Sequence, residues 1–387
     1  MRLAIIPLFF LLATTAVAEP NPLPGWALGP FERPEGVNPV IAPQGTRFDC
    51  PVSHKPVTWE ANDTFNPAAI VKDGKIYVFY RAEDMFGKGI GGRTSRIGLA
   101  ESSDGIHFTR RAEPVLFPAE DDQKANEWPG GCEDPRIVER EDGTYVMAYT
   151  QWNRQVPRLA IATSKDLIHW SKHGPAFATA HGGRFKDQAS KSGSILTRLA
   201  GDRLITAKID GKYIMFGGES PAYLCTSDDC IAWTPVLNDK GGKTNTFAPR
   251  QGTFFSLLTE PGPPALLTDQ GIVLMYNGKN AAGANGDQRF NAGVYAAGQV
   301  LIDPKNPAKA LDWLKVPFFR PMLPYEASGQ YAAGTVFIEG LVHFQKKWFL
   351  YYGCADSRVS VAVWDPAKPG QADPLPEPPA GKQPGQR

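Results

Sequence analysis

Glu133, Asp134 and Arg136 stand together in GGCEDPRIVEREDGTYVMAYT, immediately ahead of an alternating, aromatic-rich run of β character. Two carboxylates and a guanidinium are costly to bury at the start of a strand unless they bind a polar ligand or do chemistry. The competing reading is structural, with Asp134 paired to Arg136, since residues two apart on a strand share a face. Converging carboxylates suit sugars, whose hydroxyls bond to Asp, Asn and Arg while aromatic faces pack against the ring. Glycosidic cleavage asks for a pair of carboxyls, one protonated to assist the leaving oxygen and one ionised to activate water or to attack. The fold must therefore bring a second carboxylate to Asp134.

An internal repeat shows how. DGKIYVFYR from Asp73, DGTYVMAYT from Asp142 and DGKYIMFGG from Asp210 are spaced 69 and 68 residues apart, and looser copies begin at Asp269 (DQGIVLMYNG) and Lys346 (KKWFLYYG). A second phrase follows each of the first three: IGLAESSDGIHF, LAIATSKDLIHW and AYLCTSDDCIAW. Asp-Gly ahead of alternating apolar residues reads as a hairpin turn feeding a strand; Ser-x-Asp ahead of Trp or Phe reads as a strand, a turn and an aromatic plug. Asp104, Asp166 and Asp229 recur in every copy of the second phrase, which assigns them to turns rather than to chemistry. Five units of four short antiparallel strands predict an all-β chain built as a five-bladed β-propeller, with a β-sandwich or barrel as the competing architecture. Innermost strands of such blades line a central channel. Ahead of the five turn phrases stand FNPAAI, CEDPRI, KSGSIL, EPGPPALL and FIEGLV, which bring Asn66, Asp134, Lys191, Glu260 and Glu339 to the channel mouth.

The rest of the chain bounds the setting. MRLAIIPLFFLLATTAVAEP reads as a secretory signal over residues 1–18, its apolar run too short to anchor the chain in a bilayer, so a periplasmic or secreted protein is expected. Residues 19–47 read as an N-terminal extension, 48–364 as the propeller, and 365–387, rich in Pro and Gly, as a disordered tail. Lys plus Arg is 41 and Asp plus Glu 40 with no run of one sign, which argues against nucleic acid or an anionic membrane as partner. Five cysteines are too few for a disulfide scaffold, although Cys225 and Cys230 in CTSDDC could bridge a tight turn. The six histidines show no metal spacing, and no cofactor or metal is expected.

FNPAAIVKDGKIYVFYRAED, TSRIGLAESSDGIHF, GCEDPRIV, TSKDLIHW, TEPGPPALLT and FIEGLVHFQKKWFLYYGCADSRVSVAV together resemble glycoside hydrolase family 130, whose members act on β-mannosides; the likeness runs from about Phe48 to Trp364. The family holds phosphorylases, which cleave with inorganic phosphate, and hydrolases, which use water. Phosphate demands a cluster of Arg, Lys and His. Where the phosphorylases typically carry a His-Arg pair this chain has Gly218 and Glu219, and where they carry Tyr-His-Gly it has Tyr276, Asn277 and Gly278. The resemblance thus points to the hydrolase branch, similar to β-1,2-mannosidases acting on mannose-containing oligosaccharides with inversion. It implies Asp134 as the acid, working through a substrate hydroxyl, with Glu219 and Glu260 activating water. It further implies Asn66, Arg81, Asp84, Arg96, Arg136, Lys191, Glu339 and Asp356 as sugar binders; for Arg81 and Asp84 the bland alternative is an ion pair between blades. Phe254-Phe255-Ser256 departs from the Phe-Asp-Ser of the hydrolase branch, a change expected at the leaving-group side. The rival functions are a β-mannoside phosphorylase, an arabinan-degrading glycosidase of similar fold, and a propeller that only binds glycans.

Overall fold

A computed structural model describes residues 23–84, 88–89, 91–368, 370, 372–373 and 375–376; the expected signal segment and most of the expected tail lie outside the described residues. The chain is all-β, with 46% of it in strands and 3% helical, which leaves helical architectures out. Among the described residues no helix is long and apolar enough to cross a membrane.

Five successive antiparallel meanders make up the structure. The first runs Asp63–Lys72, Lys75–Glu83, Ser95–Ser102 and Thr109–Arg110; the second runs Gly131–Glu139, Tyr145–Trp152, Pro157–Ser164 and Ser171–Pro175. In the third, Gly193–Ala200 pairs with Lys212–Gly217, followed by Ala222–Ser227 and Thr234–Pro235. The fourth opens with two short strands, Leu258–Pro261 and Ala265–Thr268, both on Gly271–Lys279, then Tyr295–Ile302 and Ala310–Trp313. The fifth comprises Val336–Phe344, Lys347–Cys354 and Arg358–Trp364, and its outer edge is met by Glu32 and Ile41, which bridge to Val363 and Val359. The segment ahead of residue 48 thus bridges to the outer edge of the last meander. The described part of the expected tail is also held, since Asp373 pairs with Arg33 at 3.2 Å.

The turn chemistry follows the repeat. Asp73-Gly74 and Asp210-Gly211 have positive φ at both residues (50° and 72°, 49° and 78°), the type I′ signature that matches strand twist. The fifth turn, Gln345-Lys346, adopts the same left-handed pair (50° and 65°) without a glycine. Asp104, Asp166 and Asp229 each accept two backbone N–H groups through one oxygen, at 2.8 to 2.9 Å, closing the second turn of three units.

Apolar cores lie between neighbouring meanders. Phe79 and Met147 share the first–second cluster, Ile161 and Met215 the second–third, Phe216 and Leu274 the third–fourth, Val273 and Leu350 the fourth–fifth, and Tyr351 and Val78 join the fifth to the first. Each buried aliphatic or aromatic side chain contributes about 1.5–3 kcal/mol. The opening strand of the first meander thereby lies beside those of both the second and the fifth. All five cysteines are buried and free, so the Cys225–Cys230 bridge that spacing allows is not formed; the turn is closed instead by the Cys230 N–H donating to Ser227 Oγ at 3.0 Å.

Candidate active site

A cavity of about 360 Å³ is lined from all five opening strands: by Asn66, Asp134, Glu260 and Phe337 on four of them and by Lys191 just ahead of Gly193–Ala200. The chain reaches it by breaking its ladders. Asn66 and Asp134 have left-handed backbones (φ 46° and 49°), and each precedes a proline, Pro67 or Pro135, that cannot donate a ladder hydrogen bond. Register shifts between Phe65 and Pro67 and between Glu133 and Arg136 mark β-bulges, which re-aim side chains. Glu133 and Asp134, though adjacent, consequently both line the cavity. Gly131 (φ 115°) lets this strand enter beside Ser95, whose carbonyl oxygen would lie 2.1 Å from any Cβ there.

One wall is organised by Arg81. Its Nη1 donates to Asp134 Oδ1 at 3.0 Å, its Nη2 to Glu133 Oε1 at 2.8 Å and Glu83 Oε1 at 2.6 Å, and its Nε to Ser95 Oγ at 3.1 Å. Asn66 Nδ2 donates to Asp134 Oδ1 at 2.9 Å, leaving the Asn66 carbonyl oxygen buried without a partner. The opposite wall carries Glu260, which accepts a hydrogen bond from Ser192 Oγ, and Glu219, 3.8 Å from Lys191 Nζ. Asp356 completes the rim.

The carboxyls do not titrate alike. Burial opposes ionisation of Asp134, but Arg81, Lys191, the Asn66 amide and Arg136 outweigh it and hold the carboxyl down at about 2. Burial pushes Glu133 up to about 7 against the pull of Arg81, with the Asp134 charge adding to the rise. Burial likewise pushes Asp356 up to about 7 and raises Glu260, where Lys191 opposes and Glu219 reinforces the shift. Lys191 stays a cation: burial lowers its pKa, yet Asp134, Glu260 and Glu219 more than restore it. The cavity thus holds ionised and proton-bearing carboxyls side by side, the pairing that acid–base cleavage of an acetal uses.

Of the expected site residues, Asn66, Arg81, Asp134, Lys191, Glu219, Glu260 and Asp356 line this cavity, whereas Asp84, Arg96, Arg136 and Glu339 do not. Asp84 and Arg96 pair with each other at 2.6 Å on the far side of their strands, with Arg96 also 3.6 Å from Cys50 Sγ. The reason is strand periodicity: Asp84 lies three residues from Arg81 and Arg96 lies opposite Ala82, so both face away from the cavity. Arg136 and Glu339 lie beneath the cavity, fully desolvated and joined at 2.9 Å, because the bulges at Glu133/Arg136 and Ile338/Gly340 turn them inward. Asp134 therefore pairs with Arg81 rather than with Arg136. Phe254 and Phe255 are buried with Tyr276 in the core and do not reach the cavity. Of Trp59, Trp128 and Trp152 only Trp152 lines the cavity, Trp59 being stacked on Tyr80 in the core. Glu83, Glu133, Gln330, Tyr295 and Tyr331 are cavity residues that sequence reasoning did not assign; Glu83 was readable, being two residues from Arg81 on one strand face. Among the described residues no cluster of three His, Cys, Asp or Glu is placed to hold a metal ion.

Comparison with known proteins agrees with this geometry. Residues 35–368 match a family model described as β-1,4-mannooligosaccharide phosphorylase, Glyco_hydro_130. A 1,2-β-oligomannan phosphorylase of Thermoanaerobacter sp. (strain X514) is 33% identical over 317 residues, covering 79% of this chain and 90% of that one. A solved structure presented with the statement that the GH130 family of mannoside phosphorylases contains glycoside hydrolases targeting β-1,2 mannosidic linkages in Candida mannan is 57% identical, with a TM-score of 0.91, covering 93% of this chain and 100% of that one. A glycosyl hydrolase from Bacteroides ovatus is also 57% identical, with a TM-score of 0.90 and coverage of 92% and 99%.

Proposed function

The chain belongs to glycoside hydrolase family 130, and from that premise we propose that it is an exported hydrolase of β-mannosides, acting on β-1,2-linked mannooligosaccharides with inversion, on a five-bladed β-propeller. The five inter-meander cores, the last joining fifth to first, support the propeller.

One observation carries the choice of water over phosphate. Among the described residues the cavity holds Glu83, Glu133, Asp134, Glu219, Glu260 and Asp356 against Arg81 and Lys191 as cations. Arg81 is already committed to three carboxylates, and Lys191 stands among Asp134, Glu219 and Glu260. A phosphate dianion would find no free guanidinium and a surplus of negative charge, whereas water needs only acceptors. Asn277, where the phosphorylases carry a histidine, is spent on the backbone N–H and C=O of Ile338 at 2.8 and 3.0 Å.

In this mechanism Glu219 and Glu260 orient and deprotonate the water, and Asp134 delivers a proton to the glycosidic oxygen through a mannose hydroxyl. Asp134 is held ionised while burial pushes Glu133 up to about 7, so Glu133, on the same Arg81 guanidinium, is the carboxyl that stores the proton Asp134 passes on. Asn66, through its free carbonyl oxygen, and Asp356 bind sugar hydroxyls. The test is to incubate the mature protein with β-1,2-mannobiose, with and without inorganic phosphate. Free mannose at a rate independent of phosphate is expected; mannose 1-phosphate formed only with phosphate would make the protein a phosphorylase, and failure on every mannoside would leave a binding propeller.

A further inference from the structure

A second cavity, of about 600 Å³, adjoins the first, and the two share Pro157, Lys191 and Glu219 as walls. Its far side is built from Tyr223, Lys243 and Arg184. Tyr223 is only 6% exposed, yet its hydroxyl has no hydrogen-bond partner, an omission that is costly unless a ligand or water supplies one. The ring itself is fixed: it packs against Gly218, where a Cβ would come within 2.2 Å of it, and its centroid lies 6.3 Å from that of Phe177. Lys243 is equally unspent. Its ammonium lies 4.1 Å from the Tyr223 ring centroid and 5.2 Å from that of Phe185, with no carboxylate in ion-pair reach among the described residues, and burial lowers its pKa. An aromatic floor with unsatisfied donors beside it is what hydroxyl-rich sugar rings engage.

We propose that this second cavity is an extended glycan subsite, binding mannose residues beyond the two that flank the scissile bond, with Tyr223 and Lys243 as its hydrogen-bonding residues. The inference rests on the mannoside reading of the first cavity and adds to it a preference for chain length. Glu219, on the shared wall, places the extension directly against the water-activating side. The Gly218 N–H donates to the carbonyls of Lys191 and Ser192, both at 3.0 Å, so the loop carrying Glu219 and the Tyr223 contact is tied to the segment that carries Lys191 into Gly193–Ala200.

The test compares kcat/KM on β-1,2-mannobiose, -triose and -tetraose for the wild-type protein and for Tyr223→Phe and Lys243→Gln. Tyr223→Phe keeps the ring that packs on Gly218, so it isolates the hydroxyl. Efficiency is expected to rise with chain length in the wild type, and each substitution to cut the ratio of tetraose to biose by about 3–10-fold, the value of one hydrogen bond. A wild-type profile flat across lengths, or an equal loss on all three substrates, would overturn the subsite while leaving hydrolysis of mannobiose intact. Calorimetry on Asp134→Asn with the same glycans needs no turnover: affinity that does not grow with length would overturn it as well, whereas absence of any mannoside binding would instead sink the functional reading.

Discussion

The two walls of the catalytic cavity are built to different standards. On the acid wall, Arg81, Glu133 and Asp134 have side chains 11%, 8% and 5% exposed and are locked by three ion pairs and two proline-backed bulges. On the opposite wall, Lys191 and Glu219 are 30% and 40% exposed and sit 3.8 Å apart, beside a buried Glu260. The difference has a chemical use. A proton must wait at one place in a dry site, while water must arrive, be polarised and be replaced at every turnover.

Breaking the acid wall has the largest expected effect. Asp134→Asn removes the proton-delivering carboxylate and is expected to lower kcat/KM by about 10²–10⁴-fold with the fold intact, checked by steady-state kinetics beside a thermal melt. On the looser wall Glu260→Gln is expected to cost about 10²-fold or more, and Glu219→Gln less, because its exposed position leaves water within reach.

Glu133 sharpens the comparison through pH. The acid pair must be protonated, so activity should fall as pH rises through about 7, the value to which burial pushes Glu133; the base must be ionised, so activity should also fall on acidification, through a Glu260 pKa that lies above its ordinary value. The profile of kcat/KM is therefore bell-shaped, and Glu133→Gln should move its alkaline limb. An unchanged limb would separate Glu133 from the proton.

The smallest effect on catalysis is expected outside both walls. Arg96→Met strands a buried Asp84, which should lower stability by about 3–5 kcal/mol while activity per folded molecule stays near the wild-type value. A loss of activity as deep as that of Glu260→Gln would return Arg96 to the sugar site.

Much of this was legible in the chain. The Asp-Gly turns and the Ser-x-Asp phrases announce the meanders, and FNPAAI and CEDPRI, standing ahead of two of the turn phrases, locate Asn66 and Asp134. The errors came from treating one register as continuous. A simple alternation puts Arg136 beside Asp134 and turns Glu133 away; the bulge between Glu133 and Arg136 does the reverse, and no single residue type encodes it. Asp84 and Arg96 lie outside the cavity for the opposite reason: alternation does hold there, and counting three residues from Arg81 places Asp84 on the other face. The bridges of the N-terminal segment, Glu32 with Val363 and Ile41 with Val359, are not legible locally because they span nearly the whole chain.

The most direct test of water activation on the Glu219–Glu260 wall is to follow β-1,2-mannobiose cleavage by NMR in ¹⁸O-labelled water containing inorganic phosphate. The account predicts that the mannose carrying the label at C1, released from the non-reducing unit, appears first as the α-anomer and that no mannose 1-phosphate forms. Mannose 1-phosphate, or a first-formed β-anomer carrying the label, would contradict it.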